Sequence, residues 1–108
     1  MEIKLFIITL FAFAPLLSIA ADYDIKVCAL QTHDTGSTAY LQVCDGWESK
    51  NQCDGNHYVT WNMDEFQGKA MYSSALAAMM SDKEIKVRLD GVTCIGLYDR
   101  TSMIRIMK

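Results

Sequence analysis

Beyond residue 20 this sequence has no second long apolar run, no cluster of basic residues, and no repeated or low-complexity tract. Its ten lysines and arginines are scattered and are outnumbered by thirteen acidic residues, which gives a net charge of −3. Nucleic-acid-binding domains carry a basic patch or stripe, and basic clusters are also what anionic membranes attract. We therefore expect neither a nucleic-acid partner nor membrane insertion for this chain.

The first 20 residues have the three parts of a secretory signal peptide. Lys4 provides a positive start, residues 5–17 are apolar, and Ser18-Ile19-Ala20 is a small-x-small cleavage motif. The apolar segment is too short to span a membrane. Removal of residues 1–20 leaves residues 21–108, roughly 88 residues, which is the size of a single small domain. The sequence thus predicts export, either to the periplasm or out of the cell.

All four cysteines lie after the predicted cleavage site. An even number of cysteines in a small exported domain indicates two disulfides, because so small a core needs covalent support. Three pairings are possible, and we favour Cys28–Cys44, across a hairpin, together with Cys53–Cys94, between two loops on either side of a helix. The alternative is a metal site that uses Cys53 and His57, although their spacing fits no common zinc pattern.

One helix is predicted over residues 62–81. Asn62 is a suitable N-cap, and Glu65 stands three positions later, as in a capping box. Trp61 and Phe66 occupy the positions of a hydrophobic staple. Glycine weakens a helix interior, so we expect a neighbouring backbone to lie close to Gly68. The predicted buried face has helical spacing and comprises Gly68, Met71, Tyr72, Ala75, Ala78 and Met79.

Five segments have the alternation or the β-forming residues that are typical of strands. The first two flank a polar turn and predict a hairpin in which Ile25, Val27 and Ala29 share one face and Leu30 lies on the other. A loop is predicted over residues 91–99. With the helix after the third strand, the order β-β-β-α-β-β predicts a mainly β domain with one α-helix (α+β), an OB-fold-like five-stranded barrel. The predicted strands are residues 25–30, 40–44, 57–61, 85–89 and 101–107.

Several positions in these strands, the first turn and the helix form a pattern that covers most of the mature chain: His33, Thr35-Gly36, Tyr40, Trp61, Phe66, Ala75-Leu76 and Ile85-Lys86-Val87-Arg88-Leu89. In this pattern the chain resembles the B subunits of bacterial pentameric toxins of the subtilase-cytotoxin and pertussis-like type, and small secreted proteins related to them. The resemblance implies an OB-fold, assembly of identical subunits into a ring pentamer, and binding of cell-surface glycans.

Two aromatic residues lie in predicted loops beside cysteines, where a ring has less reason to be buried. Loops on a rigid scaffold concentrate binding residues, and a ring can stack on a sugar while nearby polar groups bond its hydroxyls. The alternative is that both rings cover the disulfides and close the ends of the barrel. The predicted ligand-binding residues are Trp47, Glu48, Asn51, Tyr98 and Asp99.

Catalysis is not predicted. His33, Asp34 and Ser37 lie close together in the sequence, but turns collect Asp, Ser and Gly for backbone reasons. Oxidised cysteines also offer no thiolate nucleophile. We therefore expect no cofactor, no metal and no enzymatic activity. The function favoured is a secreted binding module for a glycan or a protein surface, and the alternative is a periplasmic inhibitor or immunity-type protein that binds a partner enzyme.

Overall fold

The structure, a computed structural model, describes residues 20–108. The predicted signal peptide therefore lies outside the described residues, apart from Ala20. Within the described part of the chain, no helix has both the length and the apolar character needed to cross a membrane.

The described residues form a mainly β structure with one α-helix, which confirms the predicted α+β class. Along the chain, three strands precede the helix and two follow it. The elements are β1 (Ala21–Thr32), β2 (Thr38–Val43), β3 (Tyr58–Asn62), α1 (Gly68–Met80), β4 (Glu84–Ile95) and β5 (Tyr98–Ile106).

The five strands close into a ring in the order β1-β2-β3-β5-β4, with β4 returning to β1. Every neighbouring pair is antiparallel except β3 and β5, which run parallel. A parallel pair needs a long crossover connection, and here the connection from β3 to β5 contains α1 and β4. Closing the sheet pairs strands that would otherwise be exposed edges.

The core lies inside the ring: in β2 and in residues 84–89 of β4, buried apolar residues alternate with more exposed ones that face outward. In the predicted strand over residues 85–89, alternate residues face inward: Ile85, Val87 and Leu89 are all buried. From the helix, Ala75 and Ala78 reach this core. The other buried apolar residues are Ile25, Val27, Ala39, Leu41, Val43, Trp47, Val59 and Trp61.

The helix starts later than the sequence predicts. Asn62 ends β3, where it pairs with Thr38, and α1 begins only at Gly68. The Asn62 side chain still binds a local amide, because its Oδ1 accepts the N–H of Asp64 at 2.8 Å. That bond stabilises the turn after the strand, so the residue typical of an N-cap here serves as a turn former.

The predicted capping box and staple are also wrong. Glu65 does not return to the backbone of Asn62 through its side chain; its carboxylate accepts hydrogen bonds from Arg100 Nη2 at 2.8 and 2.9 Å. Phe66 is 95% exposed, while Trp61 is fully buried. The two rings therefore do not pack together, because the chain is still in a turn at residues 63–67.

The predicted buried face of the helix is confirmed. Gly68, Ala75 and Ala78 are buried, and Met71, Tyr72 and Met79 pack against the core. The expected close approach at Gly68 is confirmed as well: a methyl group there would lie 2.7 Å from Met63 Cα and nearer still to the carbonyl oxygen of Asn62. The indole Nε1 of Trp61 donates a hydrogen bond to the Gly68 carbonyl at 2.8 Å.

The favoured disulfide pairing is confirmed. Cys28 bonds to Cys44 with the Cα atoms 5.0 Å apart, and Cys53 bonds to Cys94 with the Cα atoms 5.8 Å apart. Among the described residues there is no free cysteine. Two disulfides in a chain of this size are typical of an oxidising compartment.

Cys28 lies at a register shift that reverses the alternation of β1. Val27 pairs with Val43, but Ala29 pairs with Gln42, so one extra residue stands in β1 at this point. A β-bulge moves the following residues to the opposite face. Leu30 therefore packs against the core, and the prediction that Ala29 shares the inward face of Val27 is wrong.

The loop predicted over residues 91–99 is largely absent. β4 continues to Ile95, and β5 starts at Tyr98 after a tight turn in which Gly96 has a φ of +60°. The polar, glycine-containing composition instead marks an irregularity within the strands, because the register of β4 with β5 shifts between Leu89 and Cys94.

Replacing Gly68 with alanine tests the close approach of the helix to the turn before it. A gain in helix propensity would favour alanine, but the added methyl group overlaps backbone atoms that cannot rotate away. We expect Gly68→Ala to lower the free energy of unfolding by about 1–3 kcal/mol, as overpacking does. Urea unfolding measures this, and Gly36→Ala is the matched control because nothing lies within 4 Å of its added methyl group. Equal stability of the two variants would contradict the packing described.

Candidate functional site

A buried carboxylate fixes the loop between β2 and β3 onto β5. Asp99 is completely buried. Its Oδ2 accepts hydrogen bonds from Trp47 Nε1 and from the backbone N–H of Lys50, both at 3.1 Å, and its Oδ1 accepts one from Ser49 Oγ at 2.5 Å. Burial of a charge is costly unless it is hydrogen-bonded, and these three donors supply that stabilisation.

Asn51 connects the same loop to β4. Its Nδ2 donates to the Thr93 carbonyl at 2.7 Å, and its Oδ1 accepts from the Gly91 N–H at 2.8 Å. The side chain is 8% exposed. Both ends of the amide are therefore used within the protein, at the register shift of β4.

Lys50 covers this region from the outside. Its Nζ lies 5.5 Å from the centre of the Trp47 ring and 5.6 Å from the centre of the Tyr23 ring. The two rings meet edge to face, with their centres 5.9 Å apart. These distances are within the range of cation–π attraction, so the lysine helps to hold Trp47 against β1.

Three of the five ligand-binding residues predicted from the sequence lie together in this region. Trp47 and Asn51 are buried, and Asp99 joins Trp47 directly. Glu48 is exposed beside them, whereas Tyr98 belongs to a separate aromatic cluster. The polar groups of Trp47, Asn51 and Asp99 are already engaged within the chain, and ligand contact by these five residues stays a prediction.

Asp90 stabilises the irregular part of β4. Hydrogen bonds from the Thr93 hydroxyl and N–H and from the Val92 N–H lower the pKa of its carboxyl to about 2, from an ordinary value of 3.8. The two N–H groups lie 2.7 and 2.8 Å from Oδ1. The carboxylate therefore satisfies backbone donors that the register shift leaves without strand partners.

A cluster of three tyrosines lies on the outer face of the ring, contributed by three neighbouring strands. Tyr40 of β2, Tyr58 of β3 and Tyr98 of β5 contact one another edge to face, with ring centres 5.2 to 6.1 Å apart. His33, in the turn after β1, adds a fourth ring 5.3 Å from that of Tyr40. All three tyrosines are half-buried, so each presents part of its ring to solvent.

The strands position these rings by simple alternation. Ala39 and Leu41 face the core, so Tyr40 between them points outward. Tyr98 packs on Gly55: a methyl group on that glycine would lie 2.5 Å from the tyrosine ring. The Gly55 N–H also donates to the Leu97 carbonyl at 2.5 Å, so the loop that carries Cys53 forms one border of the cluster.

Two amide side chains flank the tyrosines. Gln31 pairs with Tyr40 across β1 and β2, and Gln42 pairs with Tyr58 across β2 and β3. Directly paired residues lie on the same face of a sheet, and both glutamines are exposed. Gln31 Nε2 and His33 Nε2 are 2.8 Å apart, a hydrogen-bonding distance. We call the set Gln31, His33, Tyr40, Gln42, Tyr58 and Tyr98 the tyrosine surface.

The sequence holds a usable signal for Tyr40 and Gln42 of this surface. Alternation places Tyr40 and Gln42 opposite Leu41 and Val43, and hence outward. What it does not contain is the order of the strands in the ring, which brings Tyr98 beside Tyr58. The sequence also names His33, both as a possible catalytic residue and in the pattern shared with toxin B subunits, but its contact with Tyr40 depends on the turn.

The residues of the alternative metal site are not free to form one. Cys53, whose thiolate would be the metal ligand beside His57, is bonded to Cys94. Over residues 20–108 no three His, Cys, Asp or Glu side chains are grouped closely enough to hold a metal ion.

Comparisons of this chain with protein-family models, curated proteins and solved structures found no match.

The Asp99 network predicts a large effect from an isosteric substitution. Asp99→Asn replaces one carboxylate oxygen by an NH₂ group, which then faces a donor from Trp47, Ser49 or Lys50. Hydrogen bonds to charged groups contribute about 1.5–3 kcal/mol, and we expect a loss of that size in urea unfolding followed by tryptophan fluorescence. Asp64→Asn, at an exposed turn position, is the control and should unfold as the unaltered protein does.

The lowered pKa of Asp90 leads us to expect a specific dependence of stability on pH. A carboxyl whose pKa is lowered in the folded state stabilises the protein above its ordinary value of 3.8, and this contribution disappears as the pH falls to about 2. The stability difference between the unaltered protein and Asp90→Asn should therefore shrink from about pH 5 to about pH 2. Urea unfolding across this range measures it, with the exposed Asp54→Asn as control. A difference that stays constant with pH would contradict the assignment.

Proposed function

We propose that this protein is an exported, non-enzymatic binding module with an OB-fold, and that its tyrosine surface binds a glycan. Support for the fold comes from the arrangement of the strands: five strands in a closed ring, with one helix between the third and fourth. That is the element order of the OB-fold, a Greek-key barrel. The four cysteines form two disulfides, which favour an oxidising destination for the chain.

The observation that carries the proposal is the position of the tyrosine surface. OB-folds bind oligosaccharides and oligonucleotides on the face of their second and third strands, together with the loops that follow the first and fourth strands. Tyr40 and Tyr58 stand on that face. His33 lies in the loop after β1, and Tyr98 directly follows the turn after β4.

The side chains favour a sugar over a nucleic acid. Apart from His33, the surface contains only phenol rings and amides. Single-stranded nucleic acids stack on aromatic rings too, but they require a basic groove along the phosphates. A sugar ring offers C–H groups to the electron-rich ring faces and hydroxyls to the Gln31 and Gln42 amides.

The resemblance to toxin B subunits extends the proposal to a cell-surface glycan and to a ring of identical subunits. Repetition of a weak site in a ring raises the overall affinity for a multivalent surface. Native mass spectrometry of the oxidised protein tests this part separately, because a strictly monomeric species would contradict the pentamer and leave the binding site in place.

A second candidate, an inhibitor or immunity-type protein, is favoured by one feature of the same surface. Tyrosine is enriched where proteins bind one another. In that case the exposed rings would fill pockets of a partner enzyme. The two candidates separate in experiment, because a glycan array has no signal for a purely protein-binding surface.

A glycan array followed by titration calorimetry tests the proposed site. Tyr58→Ala should weaken binding about fivefold to 150-fold, because the loss of one stacking ring costs about 1–3 kcal/mol. Gln42→Ala should weaken it about threefold to tenfold, the equivalent of one hydrogen bond. Both variants keep the residues of the core.

Matched controls separate loss of binding from loss of fold. Gln67→Ala removes an equally exposed amide at the start of α1, and Tyr72→Ala removes a half-buried tyrosine from the helix. Both should bind as the unaltered protein does. Absence of signal from every glycan on the array, for protein whose thermal unfolding curve shows that it is folded, would falsify the proposal.

A further inference from the structure

We infer that the glycan site has two parts and takes a neutral saccharide of at least two sugar units, with the terminal unit in a pocket beside Tyr40. This inference rests on the proposed function. The ligand is thereby specified by class, by its minimum number of sugar units and by the direction in which the saccharide lies along the tyrosine surface.

The pocket is formed by the turn between β1 and β2. Its volume is about 210 Å³, and it is lined by His33, Thr35, Gly36, Thr38 and Tyr40. Pockets for drug-sized ligands enclose roughly 300–1,000 Å³, so this one suits a single sugar unit. The threonine hydroxyls and the imidazole can both donate and accept hydrogen bonds, which matches the hydroxyls of a sugar.

Tyr40 connects the pocket to the open part of the tyrosine surface. On one side its ring meets His33, with the centres 5.3 Å apart and the planes perpendicular. On the other side it meets Tyr58 at 5.9 Å and Tyr98 at 6.1 Å. A ligand that fills the pocket and passes over Tyr40 therefore reaches the next two rings with its second sugar unit.

The charges around the pocket favour a neutral terminal sugar. The turn at residues 33–37 contains one carboxylate, Asp34, which is exposed, and no lysine or arginine. An anionic sugar would meet a like charge there and would find no lysine or arginine among the lining residues.

The test uses the neutral oligosaccharide that gives the strongest array signal, shortened to its terminal disaccharide and then to its terminal monosaccharide. Calorimetry with the unaltered protein should give an affinity for the disaccharide about fivefold or more above that for the monosaccharide, the effect of one additional stacked ring. Further units should add little. Equal affinity for the monosaccharide and the disaccharide would contradict the inference.

Two variants test which residues form each of the two parts of the site. Thr38→Val removes a pocket hydroxyl but keeps the branched shape, and it should weaken both the monosaccharide and the disaccharide about threefold to tenfold. Tyr58→Ala should weaken the disaccharide and leave the monosaccharide unchanged. The control is Thr32→Val, at an exposed residue of β1 outside the pocket lining, which should bind both as before.

The outcomes distinguish this inference from the proposed function. Signal confined to anionic glycans, or loss of monosaccharide binding in Tyr58→Ala with no loss in Thr38→Val, overturns the two-part site while glycan binding stands. The absence of any glycan signal overturns the proposed function itself.

Discussion

Closure of the ring between β3 and β5 is the constraint on which the rest of the structure depends, and Asp99 lies at that point. The two strands share only a short parallel contact, in which Val59 pairs with Asp99 and Thr60 with Arg100. The Thr60 hydroxyl donates to the Asp99 carbonyl at 2.7 Å, while the Asp99 carboxylate binds the loop that leaves β2. One buried residue thus joins strand, strand and loop. Because neighbouring residues of a strand face opposite sides, the same attachment fixes the position from which Tyr98 points outward.

Local patterns in the sequence predicted those features of the fold that interactions between residues close in the sequence determine. The inward face of β4, the buried face of α1 and the disulfide of the first hairpin all follow from periodicities of 2 or 3.6 residues. The start of the helix did not follow, because Asn62 satisfies local amides equally well as an N-cap and as a turn former, and its pairing with Thr38 decides between the two. Register shifts were also missed. The register shift at Cys28 reverses the alternation within β1, although the sequence of that strand alternates regularly.

The functional residues also divide into those whose positions local patterns indicate and those whose positions depend on the whole fold. Trp47 and Asp99 are 52 positions apart, and nothing in either local context indicates that the indole will donate to the carboxylate. Both were predicted to contact a ligand because they lie in predicted loops. In the structure, both hold the loop between β2 and β3 in place. Tyr40, by contrast, faces outward because it alternates with the buried Ala39 and Leu41, and Tyr58 stands one position before the buried Val59. Their grouping with Tyr98 required the order of the strands, which is a property of the closed sheet as a whole.

The packing of Tyr98 on Gly55 couples the aromatic cluster to the redox state of a disulfide. Gly55 lies two residues after Cys53, and the bond from Cys53 to Cys94 holds its loop beside the turn that precedes Tyr98. With these thiols reduced, the loop would keep its hydrogen bonds to β4 and β5 but would lose its covalent attachment to β4. One border of the aromatic cluster thus depends on a covalent bond that forms only under oxidising conditions.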